Sequence, residues 1–381
     1  MREPPEDAAS PGRGPWSRRA LLAGAGAAAL AGFSGRLGIP ARAASSLRYM
    51  CWPGYDDPAV LEPFERAHGA DIAVDAIIDS AGGFAKLATG GHRGLDLVSM
   101  DSPWIARMGP AGLCDYLAES DVAEARAGFY EVFQAPFAPL RHGNRIVGLP
   151  TRWGWVGPSI NTAFEKPETW TSYAPCFDRA YRDRICVMDW GEWPLVPMAL
   201  HAGIDPYAPL ATGALVELRR VLRALFKNTR AIVGDITRAQ KGLLDGSFRT
   251  LVGCGTYCTS ALRKAGHETV HTVVPDARNG LRQGVVWAEA TAVVKGTPQA
   301  ALARRFVRHL ARPEIAATLA WTTATCNLVP VRAAEDLFSP RQKRALQMDA
   351  MWHAWDNSHL HEAIPDLDAM LRVYQQERAR A

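Results

Sequence analysis

Short apolar runs alternate with amphipathic stretches along most of the chain. Residues 47–50 read as a first strand, and residues 59–68 as a helix that Asp57 caps, with Pro58 at its first position. Gly69 ends that helix, and the alternating run 72–77 follows as a strand. A Gly82-Gly83 loop, a helix at 84–89 and a strand at 95–98 come next. After residues 145–150 the pattern predicts strands near 184–188 and 250–252, helices at 195–203 and 215–228, and a helix ending at Gly266. Strands at 269–274, 284–287 and 291–294 precede helices at 299–310 and 313–319, and the chain from about residue 340 onward reads as helical. Strands alternating with helices through short Gly or Pro junctions predict a parallel α/β sheet. No internal repeat interrupts the pattern.

Residues 1–43 follow a different logic. Ser17-Arg18-Arg19-Ala20-Leu21-Leu22 is a twin-arginine sequence, followed by an uncharged Ala/Gly/Leu-rich run to about Gly35 and the small-residue cleavage pattern Ala41-Arg42-Ala43. This predicts an export signal rather than a membrane anchor, because the run is Gly-broken and shorter than the roughly 20 apolar residues that span a bilayer. The expected location is the periplasm, reached by the twin-arginine export machinery.

The signal also changes the charge balance. It holds six of the 43 Lys/Arg and three of the 39 Asp/Glu, leaving 37 bases against 36 acids in the 44–381 chain. Near neutrality removes the basic surface that nucleic-acid or anionic-membrane binding requires. With 381 residues, 48% of them apolar, the chain can bury a sizeable core in two domains. The seven Cys permit disulfides in an oxidising compartment, and buried thiols are the simpler reading. Cys254 and Cys258 have no second pair at zinc spacing, so neither metal nor cofactor is expected.

His267-Glu268-Thr269-Val270-His271 matches a zinc-hydrolase motif by letter. The motif needs a helix, whereas Gly266 ends one and Thr269-Val270 favour a strand, where residues four apart lie roughly 13 Å from each other. Residues 352–361, rich in His and carrying Trp352 and Trp355, read as a solvated helix with two packing indoles. No phosphate loop, nucleophile elbow or dinucleotide fingerprint occurs. An enzyme is not expected.

What remains is a set of aromatic and acidic residues at strand ends: Trp52, Tyr55, Trp104, Trp153, Asp189, Glu192, Trp287 and Glu289. Strand ends are where open α/β sheets bind ligands. Asp189 and Glu192 could equally be carboxylates favoured by a helix N-terminus. As a group, these residues suit ammonium ions: carboxylates pair with them, and ring faces hold a cation or its methylene stem. Arg152, beside Trp153, keeps a non-amine solute such as an organic acid open.

In the order "CWPGYDDPAVLEPFERAHGADIAVD", "LDLVSMDSPWIARM", "IVGLPTRWGWVGPSINTAFEKPETW", "VMDWGEWPLVPMAL", "SALRKAG" and "VVWAEATAVV", residues 47 to about 333 resemble the periplasmic spermidine/putrescine-binding proteins of polyamine ABC importers. The resemblance implies a two-lobed α/β periplasmic binding protein fold, with mixed sheets flanked by helices, that closes on its ligand like a trap. It places one lobe at 44–153 and 287–333, and the other at 154–286 and 334–381. Carried over residue by residue, it implies ligand contacts from Trp52, Tyr55, Ser102, Trp104, Asp189, Glu192, Trp287 and Glu289, with Asp101 beside them. The implied partners are a small cationic solute and an inner-membrane permease, with the protein acting as a monomer. Two family rings are missing: Cys254-Gly255 stands where a Trp is common, and Asn327 near an aromatic position. The ligand choice therefore extends to other amines.

Overall fold

A computed structural model describes residues 45–134, 137–278, 280–322 and 326–380. The twin-arginine segment, the uncharged run and the cleavage pattern, all within residues 1–44, lie outside the described residues. The strands, in chain order, are β1 (Ser45–Cys51), β2 (Ala70–Ala76), β3 (Leu97–Asp101), β4 (Cys114–Asp115), β5 (Arg141–His142), β6 (Arg145–Ile146), β7 (Leu149–Val156) and β8 (Ser159–Asn161). They continue with β9 (Ile185–Met188), β10 (Thr229–Val233), β11 (Thr250–Val252), β12 (Val270–Thr272), β13 (Gly284–Val294) and β14 (Ser358–Leu360).

Local chemistry sets the first elements as the pattern predicts. Asp57 accepts from the Ala59 amide at 2.8 Å, and Pro58 opens the helix Pro58–His68. Gly69 closes it in the left-handed region at φ 59°. The Gly82-Gly83 pair is not a loop: it lies in the first turn of the helix Ser80–Ala88, where Asp79 accepts from the Gly82 amide at 2.6 Å. A side-chain cap therefore overrides the low helix propensity of glycine.

Two mixed sheets carry the fold. The first orders its strands β14-β13-β3-β1-β2, with β4 and β7 also paired to β13. Its β1, β2 and β3 are parallel, as the alternation predicts, whereas β13 runs antiparallel to β3, β4 and β7. The second sheet orders β10-β9-β11-β8-β12. The segments 284–287 and 291–294, expected as separate strands, form one 11-residue strand buried at every position. The polar Glu289 that splits the apolar pattern is accommodated because β7 supplies Arg152 opposite it.

Each sheet has its own core. Tyr49, Phe64, Phe133, Trp153 and Phe306 anchor the first, and Trp170, Leu195, Leu222 and Tyr374 the second. The C-terminal segment is divided between them. Met351 and Ala354 join the first core and β14 pairs with β13, whereas the helix Leu367–Arg378 packs Met370 and Tyr374 into the second.

Candidate functional site

The chain leaves β1 through the Trp52-Pro53-Gly54-Tyr55 turn, closed by the Tyr55 amide donating to the Trp52 carbonyl at 3.3 Å. The turn sends the two rings to different places. Trp52 is half-buried, and its Nε1 finds no hydrogen-bond partner among the described residues. Tyr55 is fully buried: its hydroxyl donates to Glu289 Oε2 at 2.9 Å and lies 2.6 Å from Thr151 Oγ1. The Arg152 guanidinium covers one face of the Tyr55 ring at 4.4 Å. In this conformation Arg152, rather than a solute, occupies that ring face.

Strand pairing assembles the centre of the site. Glu289 is the register partner of Asp101 on one side and of Arg152 on the other, so all three side chains share a sheet face. Arg152 donates from Nε to Glu289 Oε2 at 2.7 Å and from Nη2 to Oε1 at 3.0 Å, a bidentate pair. Burial opposes the Arg152 charge, but the Glu289 carboxylate outweighs it and holds the guanidinium protonated. Trp287, two residues along β13, therefore points to the same face and lies over Gly154, where a Cβ would stand 2.8 Å from the indole.

Asp101 is different. Its Oδ2 accepts from Ser80 Oγ at 2.9 Å, and it has no ion-pair partner among the described residues. Burial, then the nearby Glu289 charge, push its carboxyl up to about 7. Ser102 opens the next helix with its Oγ buried and unpartnered among the described residues. Trp104 stands half-buried two residues on, against Phe84 at 5.8 Å and under Arg107 at 4.2 Å.

The second sheet contributes the loop after β9. Asp189 binds Arg378 at 2.7 Å, and Trp190 Nε1 donates to the Gly234 carbonyl at 2.9 Å. Glu192 opens the helix Glu192–His201 and lies 3.4 Å from His361 Nε2. Burial raises Glu192, but hydrogen bonding and charge from His361, with smaller help from Trp104 and Arg107, hold it below the usual carboxylate value. These contacts join the loop after β3 to the loop after β9. They also show that Asp189, Glu192 and Glu289 all have a basic partner within the chain.

His361 and Tyr257 are participants that pattern reading did not place in the site, and Arg152 entered it only as the residue that kept a non-amine solute open. The segment 352–361 is not one solvated helix: Met351–Asp356 is helical, β14 follows, and His361 is buried against Trp193 and Tyr207. Trp352 and Trp355 pack on Trp153, as expected of them. The signal for Arg152 was its position beside Trp153; that it faces Glu289 comes from the β7–β13 register.

The ring missing at residue 255 has a steric cause. A Cβ on Gly255 would stand 2.4 Å from the Trp155 carbonyl oxygen, because Gly255 bridges to Val156. Tyr257, two residues on, meets Trp287 edge to face at 5.8 Å and supplies a ring there. Asn327 is buried, with its Oδ1 unpartnered among the described residues. His271 sits in β12 beside Arg263 and His267 in the preceding turn, so the motif's letters do not share a helix face. Among the described residues no group of three or more His, Cys, Asp or Glu could hold a metal, and no helix is long and apolar enough to cross a membrane.

Comparisons with known proteins agree with this architecture. The model of the bacterial extracellular solute-binding protein family matches residues 59–349. A Salmonella typhimurium spermidine/putrescine-binding periplasmic protein is 25% identical over 377 residues, 95% of this chain and 98% of its own. The Escherichia coli protein of the same name is 24% identical over 335 residues, 85% of this chain and 87% of its own. Among solved structures, a spermidine/putrescine ABC transporter substrate-binding protein from Streptococcus pneumoniae superposes with a TM-score of 0.70 at 19% identity, over 88% of this chain and 99% of that one. The chain thus belongs to the bacterial extracellular solute-binding protein family and has the periplasmic binding protein fold of its polyamine-type, ABC-transporter members.

Proposed function

We propose that the protein captures a small amine of the putrescine or spermidine type in the periplasm and delivers it to an inner-membrane permease. The solute sits between the loops that follow β1 and β3 and the loop that follows β9, with Trp52, Trp104, Trp287 and Tyr257 as its walls. Residues 44–153 with 287–333, and 154–286 with 334–381, act as the closing lobes. Capture and release complete the task, with no catalytic step. Export by the twin-arginine signal and action as a monomer belong to the same reading.

One observation carries it: Asp101 is a buried carboxyl without an ion-pair partner among the described residues, on the sheet face of Trp287 and within electrostatic reach of Tyr257. A bound ammonium would supply the missing charge and receive a ring face beside it. A ligand shifts the lobes only by its differential affinity, and contacts to Asp101 and Glu192 together would provide that difference. The test is titration of the 44–381 chain with putrescine, cadaverine, spermidine, choline and simple organic acids, followed by tryptophan fluorescence. Saturable binding of at least one amine is expected; binding of organic acids with no response to any amine overturns the reading.

A further inference from the structure

The hydrogen-bonding inventory of the site defines its solute more narrowly. A fully protonated polyamine offers donors alone, and each of its nitrogens needs an acceptor. Three buried atoms here have no hydrogen-bond partner among the described residues: Arg152 Nη1 and Trp287 Nε1, which can only donate, and the Ser102 hydroxyl, which can donate or accept. Their residues are 0%, 1% and 3% exposed, so water does not reach them freely. A donor left unsatisfied in such a setting forfeits the hydrogen bond it had with water. All three belong to the constellation around Glu289. Arg152 faces it across β7 and β13, Trp287 lies two residues away on its sheet face, and Ser102 follows Asp101, its register partner on β3.

The charges point the same way. Arg152 cancels Glu289, and Arg378 cancels Asp189. Asp101 then remains unpaired, and Glu192 is partnered by His361, which is charged only when protonated. A second ammonium would have to displace a bidentate guanidinium from Glu289. A carboxylate at that end would meet a guanidinium whose charge is already matched.

We infer that the solute is a monocation, a short amine with one ammonium for Asp101 and Glu192 and a neutral oxygen acceptor, such as an N-acyl carbonyl, for the donors of Ser102, Arg152 and Trp287. A diamine acylated at one end has this chemistry. The inference rests on the amine reading above and assigns Arg152 and Trp287 as the residues that select against a free second amine.

The 44–381 chain is titrated with N-acetylputrescine, putrescine, spermidine, butylamine and γ-aminobutyrate. N-acetylputrescine is expected to bind about tenfold or more tighter than putrescine or butylamine, one buried hydrogen bond being worth roughly that factor. Trp287→Phe keeps a ring face and removes the donor, so it should weaken N-acetylputrescine about tenfold more than it weakens butylamine; an equal effect on both overturns the inference. Arg152→Met frees Glu289 and should move the preference toward putrescine; if that variant does not fold, Trp287→Phe still decides. Putrescine or spermidine binding as tightly as N-acetylputrescine, or γ-aminobutyrate binding tightest, overturns the inference and leaves the amine reading standing. Failure of every amine overturns both.

Discussion

Arg152 and Glu289 face one another across β7 and β13, joined by hydrogen bonds of 2.7 and 3.0 Å, and neither side chain is more than 8% exposed. The pair replaces a solvated acid in the middle of the site with an internally neutral bridge that also seats the Tyr55 hydroxyl.

Breaking this bridge from one side leaves a buried charge. Arg152→Met and Glu289→Gln are each expected to lower stability, with the loss of a buried partner costing about 3–5 kcal/mol when the remaining charge is uncompensated. The double variant should cost clearly less than the two single losses combined. Urea denaturation of all four proteins checks this, and strict additivity would show that the two side chains are not coupled.

On the amine reading, Asp101 should make capture depend on pH. Its folded-state value is raised to about 7, so its ionised form disfavours folding and its cost appears as pH rises from the unfolded value through 7. An ammonium binds the ionised form. Affinity should therefore climb with pH by up to about tenfold per unit below 7 and level off above it. Titrations over roughly pH 5.5 to 8.5 read the profile, and Asp101→Asn should flatten it and weaken binding.

Glu377 ties the C-terminal helix to the helix Ala214–Asn228. It accepts from Arg223 Nε and Arg219 Nη1, each at 2.8 Å, and these hydrogen bonds, Arg223 foremost, hold its carboxyl down at about 2. A depressed acid stabilises the fold above its unfolded value and loses that contribution as pH falls toward 2. Acid unfolding of the wild type should thus include a step on the order of 2–3 kcal/mol that Glu377→Gln lacks. A Glu377→Gln profile that retains the full acid sensitivity assigns the step elsewhere.

Gly255 should accept no side chain. Its φ of −156° is ordinary extended backbone, so the obstacle is the Trp155 carbonyl 2.4 Å from any Cβ. Overpacking against backbone costs about 1–3 kcal/mol, and Gly255→Ala should lower the thermal midpoint accordingly. An unchanged midpoint would mean that the bridge to Val156 yields at little cost.

Local grammar was enough to recover much of this protein. The Asp57 cap, Pro58 and Gly69 set the bounds of the first helix, and apolar alternation located β1, β3, β11 and most of β13. Those signals act within a few residues, so they survive without knowledge of the rest of the chain. Periodicity left Glu289 between two expected strands, 284–287 and 291–294, and the folded chain puts it on one strand with Trp287. The state of the acids did not. Whether Glu289 is open to a solute depends on Arg152, 137 residues away, and whether Glu192 is open depends on His361 from the far C-terminus. Pairing across strands and between sheets brings those partners in, and sequence spacing carries no trace of such distances. Residue types and their strand-end positions thus determined that the site is acidic and aromatic, while the tertiary structure decided which carboxyl stays unpaired, because ion pairing is a short-range event that only the folded chain arranges.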